Sequence, residues 1–137
     1  MLSYRHRGKI NRCFPKENLR KTKRRKDGGK MSIASDLLRG NTDTIILASL
    51  TGHDSYGYLI NKEIMAKTDS QMELKDATLY SAFRRLEKDG LVNTYWGDEE
   101  VGARRRYYSI TDKGREVYEQ NKAEWQKAKQ MIDSLLV

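Results

Sequence analysis

The sequence predicts a mainly α-helical fold with one small β-hairpin, and three observations predict it. Residues 76–91 form an amphipathic run in which Leu79, Phe83 and Leu86 recur at spacings of four and three, the period of one buried helix stripe. Two strand-like stretches, Leu91–Trp96 and Arg104–Ile110, flank a polar loop with glycine at each end, Gly97 and Gly102. Residues 118–135 place Tyr118, Asn121, Trp125, Ala128, Ile132 and Leu135 at alternating spacings of three and four, which is a heptad-like seam on one long helix.

The remaining elements follow in order from Met31. Leu37, Leu38, Ile45, Ile46, Leu47 and Leu50 fit a single first helix ending near Thr51-Gly52. Ser55 is placed to cap a second helix, Tyr56 to about Thr68, with Ile60 and Ile64 as its apolar pair. Asp69-Ser70-Gln71 reads as a turn and Met72-Glu73-Leu74 as a short extended piece. Asp76 is placed to cap the third helix, and Gly90 to supply the left-handed residue that ends it. Thr111 caps the last helix, which runs from about Asp112 to the terminus. The expected organisation is a basic leader over 1–30, a folded unit over 31–110 and a C-terminal helix over 111–137.

Charge is unevenly distributed. The net charge is +8, but residues 1–30 hold twelve Lys or Arg and two acids, leaving fifteen bases and seventeen acids for residues 31–137. Any affinity of the folded part for a polyanion therefore rests on local arrangement, not on net charge. The block Arg20-Lys21-Thr22-Lys23-Arg24-Arg25-Lys26 repels itself, so the leader is expected to be disordered. It reads as a nucleic-acid-binding arm or a vector scar. A further reading is that it is not normally translated: Gly28-Gly29 stands just before Met31, where purine-rich glycine codons resemble a ribosome-binding site.

Several function classes are excluded at this level. One cysteine, Cys13, rules out an internal disulfide. From residue 31 onward there is one histidine, His53, and no cysteine, so no thiolate or multi-histidine metal site is expected. No nucleophile elbow, phosphate-binding glycine loop or metalloprotease motif is present. No apolar run approaches the ~18 residues of a membrane span, and no secretory signal is evident. The expectation is a cytoplasmic, non-enzymatic protein without cofactor.

A basic-faced helix followed by a basic hairpin is the layout of a winged helix-turn-helix, which sets the helix in the DNA major groove and the hairpin on the neighbouring backbone. Thr78, Tyr80, Ser81 and Arg84 are the expected groove contacts, with Arg85 and Lys88 at phosphate or in solvent. Arg104 and Arg106 alternate with Arg105, so one set faces DNA and the other does not. Tyr107 or Tyr108 reads as core, not contact. The long seam reads as a dimerisation helix whose interface is Tyr118, Ala128, Ile132 and Leu135, against the alternative of a helix folded back on its own domain. Trp125 beside the small Ala128 leaves room for a ligand; the residues alone also allow plain packing. A winged helix used only for protein interaction, and a repressor without a ligand, are the alternatives.

Ala77-Thr78-Leu79-Tyr80, Arg84-Arg85-Leu86-Glu87-Lys88-Asp89-Gly90-Leu91, Gly102-Ala103-Arg104-Arg105-Arg106-Tyr107-Tyr108 and Thr111-Asp112-Lys113-Gly114 occur in order. Together they resemble the PadR-type transcriptional regulators, in their short subfamily with one C-terminal helix. Glu73-Leu74 and Tyr95-Trp96-Gly97-Asp98-Glu99 extend the likeness, in the manner of the multidrug-binding members of that family. The resemblance implies a homodimeric repressor bound to double-stranded DNA at an inverted-repeat operator and released by small molecules. It also implies a ligand platform at Trp125, eleven residues after Gly114, with Asn121, Lys122 and Lys129 beside it. Those lysines repel cations, so neutral or anionic planar aromatics are the expected effectors.

Overall fold

The computed structural model describes residues 32–97 and 104–137. The expectations for the leader and for Gly102 lie outside the described residues. Five helices and two strands follow in order: α1 (Ile33–Gly40), α2 (Thr42–Leu50), α3 (Gly57–Lys67), α4 (Asp76–Lys88), β1 (Val92–Trp96), β2 (Arg106–Ile110) and α5 (Asp112–Leu135). The mainly helical winged fold with a long C-terminal helix is the one the sequence predicts.

The expected single first helix is two. Asn41 leaves helical geometry at φ −113°, ψ 16°, and its side-chain amide donates to the Leu37 carbonyl at 2.7 Å. Thr42 Oγ1 donates to the Arg39 carbonyl at 3.1 Å. These local bonds satisfy the end of α1 and let the chain turn after Gly40. Apolar spacing alone joined Leu37 and Leu38 to the residues of α2. Only α2 carries fully buried residues, among them Ile46, Leu47 and Leu50; α1 has none.

Two expected caps are also displaced. Ser55 is not the cap of α3, because Tyr56 occupies that position. The Ser55 backbone instead pairs with Tyr108, giving at 3.1 Å and receiving at 2.8 Å, so it adds a third, one-residue rung to the hairpin. Lys75 takes the cap position of α4, and Asp76 is its first helical residue. Burial, then the neighbouring Glu73, pushes the Asp76 carboxyl above its usual range. Gly90 does end the helix at φ +73°, and Asp69 and Ser70 take positive φ in the expected turn.

The core is shared by all elements around α4. Leu79, Ala82, Phe83 and Leu86 pack against Ile46, Leu50, Ile60, Val92 and Ile110. The Phe83 ring stacks on Tyr108 at 3.8 Å between centroids, which fixes the hairpin to α4. Buried Asn61 closes the α3–α4 connection: its amide donates to the Leu74 carbonyl at 2.8 Å and its oxygen accepts from the Leu74 N–H at 2.9 Å. The hairpin is antiparallel, with Val92 opposite Ile110, Thr94 opposite Tyr108 and Trp96 opposite Arg106.

Thr111 caps α5, accepting from the Gly114 N–H at 3.0 Å. Val117 and Tyr118 pack against the core, Arg115 donates to the Thr51 carbonyl at 3.1 Å, and Asn121 donates to Thr44 Oγ1 at 2.9 Å. The first half of α5 thus lies on its own domain, while every residue from Met131 to Val137 is exposed.

Candidate nucleic-acid interface

The apolar stripe of α4 leaves a defined opposite face. Ala77, Ser81, Arg84 and Lys88 follow one another at helical spacings of four, three and four, opposite Leu79, Phe83 and Leu86. Ala77, Arg84 and Lys88 are exposed and Ser81 is half-buried. Ala77 was not expected in this row. The same spacing count that found the other three includes it, but its small apolar side chain offers no charge to draw notice; a methyl group of that kind suits contact with a thymine methyl.

The flanks of the row differ. On the α2 side, Arg85 Nη2 lies 2.6 Å from Asp43 Oδ1, and its Nη1 donates to Ser81 Oγ at 3.3 Å. The bond to Asp43, followed by its charge, holds the guanidinium still further above its ordinary range. Thr78, Ser81 and Arg85 line a solvent-open cleft of about 640 Å³ with Thr42, Asp43 and Asn121. On the hairpin side, Tyr80 packs edge-on to Phe83 at 5.8 Å, its hydroxyl 3.0 Å from where a Cβ on Gly57 would stand. The Tyr80 ring is therefore directed at α3 and the core and lies beside the outward row, not in it.

The three arginines at and just before the start of β2 separate by face. Arg104 and Arg106 both lie over the Trp96 ring, at 5.9 and 5.7 Å from its centroid. Arg105 lies over Tyr56 on the opposite face, at 4.8 Å. That second face carries tyrosines: Tyr107 stacks on Tyr95 at 5.6 Å and meets Tyr56 edge-on at 5.4 Å. The Tyr95 hydroxyl donates to Asp54 at 2.5 Å, and this bond pushes its pKa up to about 12. Tyr108 is core, as its sequence neighbourhood suggested, and burial raises its pKa.

On α5, Asn121 is tied to Thr44 and Tyr118 to the core. Trp125 and Ala128 are half-buried, whereas Ile132 and Leu135 are exposed. Lys122 lies over the Tyr118 ring at 5.9 Å, one turn away from Trp125. Lys129 is exposed. Among the described residues no helix is long and apolar enough to cross a membrane, and no group of His, Cys, Asp and Glu side chains is arranged to hold a metal.

The model of the transcriptional regulator PadR-like family matches residues 46–120 of this chain. The chain belongs to the PadR family. The match spans the second half of α2, then α3, α4, the hairpin and the first part of α5, which together carry the outward row and the two arginines on Trp96. A transcriptional regulator from Clostridium thermocellum is 48% identical, with a TM-score of 0.69, over 75% of this chain and 97% of that one. A PadR family transcription regulator from Clostridium difficile is 34% identical, with a TM-score of 0.63, over 72% of this chain and all of that one. An uncharacterised protein of Lysinibacillus sphaericus is 41% identical over 101 residues, covering 74% of this chain and 93% of its own length. This PadR-family chain is thus a transcriptional regulator of a DNA-binding family and not an enzyme.

Proposed function

We propose that this PadR regulator is a cytoplasmic, sequence-specific repressor that binds an inverted-repeat operator as a homodimer and is released by a planar aromatic compound at Trp125. The observation that carries the DNA reading is the outward row Ala77, Ser81, Arg84 and Lys88 beside the arginine pair on Trp96. It concentrates positive charge on one side of a folded part with fifteen bases and seventeen acids. Base readout falls to Thr78 and Ser81 with Arg84, and Arg85, Lys88, Arg104 and Arg106 supply phosphate contacts. Arg105, on the tyrosine face, contributes least.

Dimerisation is supported by Met131, Ile132 and Leu135, which are 61%, 41% and 81% exposed along the end of α5. The ligand reading is supported by half-buried Trp125 next to Ala128 and by its standing where the PadR resemblance implies a ligand platform. With Lys122 drawn toward Tyr118, Lys129 is the main source of discrimination against cations.

Operator fragments selected from random sequence test the reading. Binding should favour half-sites about one helical turn, ~10 bp, apart, and its logarithm should fall linearly with log salt. Lys88→Gln should reduce that slope by about one, whereas Arg84→Gln or Ser81→Ala should change which sequences are selected. A winged helix serving only protein contacts would show neither sequence selection nor a salt slope. Planar compounds of matched shape and opposite charge, titrated against Trp125 emission, test the ligand. Absence of quenching by any of them leaves a repressor that responds only to its own concentration.

A further inference from the structure

We propose that Trp96 is a positioning residue for DNA binding: its indole holds Arg104 and Arg106 as one preorganised pair of guanidinium groups facing successive phosphates. The inference rests on the DNA-binding reading above and adds a residue to which no base or phosphate contact is assigned. Arg106 stands opposite Trp96 in the hairpin register, and Arg104 is two residues earlier on the same face. Both guanidinium carbons lie within 6 Å of the indole centroid, at 5.9 and 5.7 Å, the range in which the ring's negative face attracts a cation. Trp is the strongest of the aromatic platforms for this purpose.

The two guanidinium groups repel one another, and residues two apart stand at most about 7 Å apart even in a fully extended chain. One half-buried indole attracts both and so offsets that repulsion. Further bonds restrict each arginine. Arg106 Nε donates to Thr94 Oγ1 at 2.8 Å, and Arg106 Nη2 lies 4.0 Å from Glu87 Oε1 of α4. Arg104 Nε donates to the Gly97 carbonyl at 3.4 Å. The Arg106–Glu87 contact also sets the pair at the C-terminal end of α4, next to Lys88 in the outward row. Long side chains held this way lose less freedom when they meet phosphate than free ones do. The spacing of alternate strand residues is comparable with that of successive phosphates along one DNA strand, so the pair fits a backbone segment and not a single anion.

The test is a double-mutant cycle on the full chain with its selected operator. Trp96→Leu should weaken binding by roughly 5- to 100-fold, the range given by releasing two ordered side chains. The salt slope should stay within about one unit of the parent, because both charges remain. Trp96→Phe, which keeps an aromatic face, should recover part of the loss. In an Arg104→Gln, Arg106→Gln background, Trp96→Leu should cost nothing further. An equal loss in that background would show that Trp96 supports the fold and does not act through the arginines, and would overturn the inference. So would parent-like affinity of Trp96→Leu. Thermal unfolding of each variant identifies any loss of fold, and in that event the Trp96→Phe comparison in both backgrounds decides the matter. A spectroscopic reading is independent: in a Trp125→Phe protein only Trp96 emits, and Arg104→Gln with Arg106→Gln should shift its emission before DNA is added. If the parent itself binds no operator, the DNA reading fails; if the parent binds and the cycle shows no coupling, only the positioning role fails.

Discussion

Replacing Gly114 by alanine should loosen the docking of α5 on the winged domain. Gly114 is the third residue of α5, buried, and its N–H is capped by Thr111. An added Cβ would stand 2.2 Å from the Leu91 carbonyl oxygen and 2.8 Å from Ile110 Cγ1. The first of these is backbone and cannot rotate away. Leu91 is also held from both sides, its N–H bonded to the Leu86 carbonyl at 2.8 Å and its carbonyl accepting from Thr111 N–H at 3.0 Å. Alanine normally favours a helix over glycine by ~1 kcal/mol. Overpacking a rigid contact costs up to ~3 kcal/mol. The net is a loss of about 2 kcal/mol, or a fall in Tm of roughly 8–16 °C for a domain of this size. Thermal melts followed by circular dichroism measure it. Gly57→Ala is the control, since the atoms nearest its added Cβ are side-chain ends that can yield: the Tyr80 hydroxyl at 3.0 Å, Leu79 Cδ2 at 3.2 Å and Tyr80 Cζ at 3.4 Å. A Tm for Gly114→Ala equal to or above that of the parent would refute the reasoning.

Asn61→Ala should destabilise the chain by about 2–4 kcal/mol, because it leaves both the N–H and the carbonyl of Leu74 without their buried partner; a urea midpoint that shifts by less than a quarter of the parent value would argue that water replaces the amide. Tyr95 should titrate at about 12 in an ultraviolet pH titration, and Tyr95→Phe should remove that step. Its folded pKa is raised above the ordinary 10.0, so the stability it adds is complete below pH 10 and is lost as pH rises toward 12. A Tyr95→Phe protein whose alkaline unfolding profile is the same as the parent's would count against the Asp54 bond.

Helix α4, the hairpin and the cap of α5 were legible because each is signalled by residues close in sequence. Leu79, Phe83 and Leu86 declare a face, Gly90 a helix end, and Thr111 with Gly114 a capped start. What the sequence hid depends on partners far along the chain. Ser55 reads as a cap by composition, but its backbone is claimed by Tyr108, more than fifty residues later. The break at Asn41 is local, yet it was masked by apolar residues on both sides that continue a plausible period. At the interface, alternation separated Arg105 from Arg104 and Arg106 correctly, but no spacing argument reveals that Trp96 lies beneath the latter two. Tyr80 has groove-facing company in sequence and a core-facing ring in space, because the missing side chain at Gly57 leaves room for its hydroxyl.

The heptad-like seam of α5 changes its role along its length, and this bears on how the proposed ligand at Trp125 would act on DNA binding. Gly114 against Leu91, Arg115 on Thr51 and Asn121 on Thr44 tie the first half of α5 to the winged domain. The free apolar positions begin only beyond Trp125, at Met131. In the proposed dimer, each α5 is therefore a lever, clamped to its own DNA-reading head at one end and joined to its partner at the other. Trp125 lies one helical turn past the last clamp, Asn121. Thr44, which receives that clamp, is the neighbour of Asp43, and Asp43 holds Arg85 beside the outward row at 2.6 Å. If the proposed ligand rotated α5 at Trp125, it would change the separation of the two heads directly, because the clamped half moves with its head. Operator release would then need no unfolding of the recognition helix, only a mismatch between the spacing of the two heads and the spacing of the half-sites.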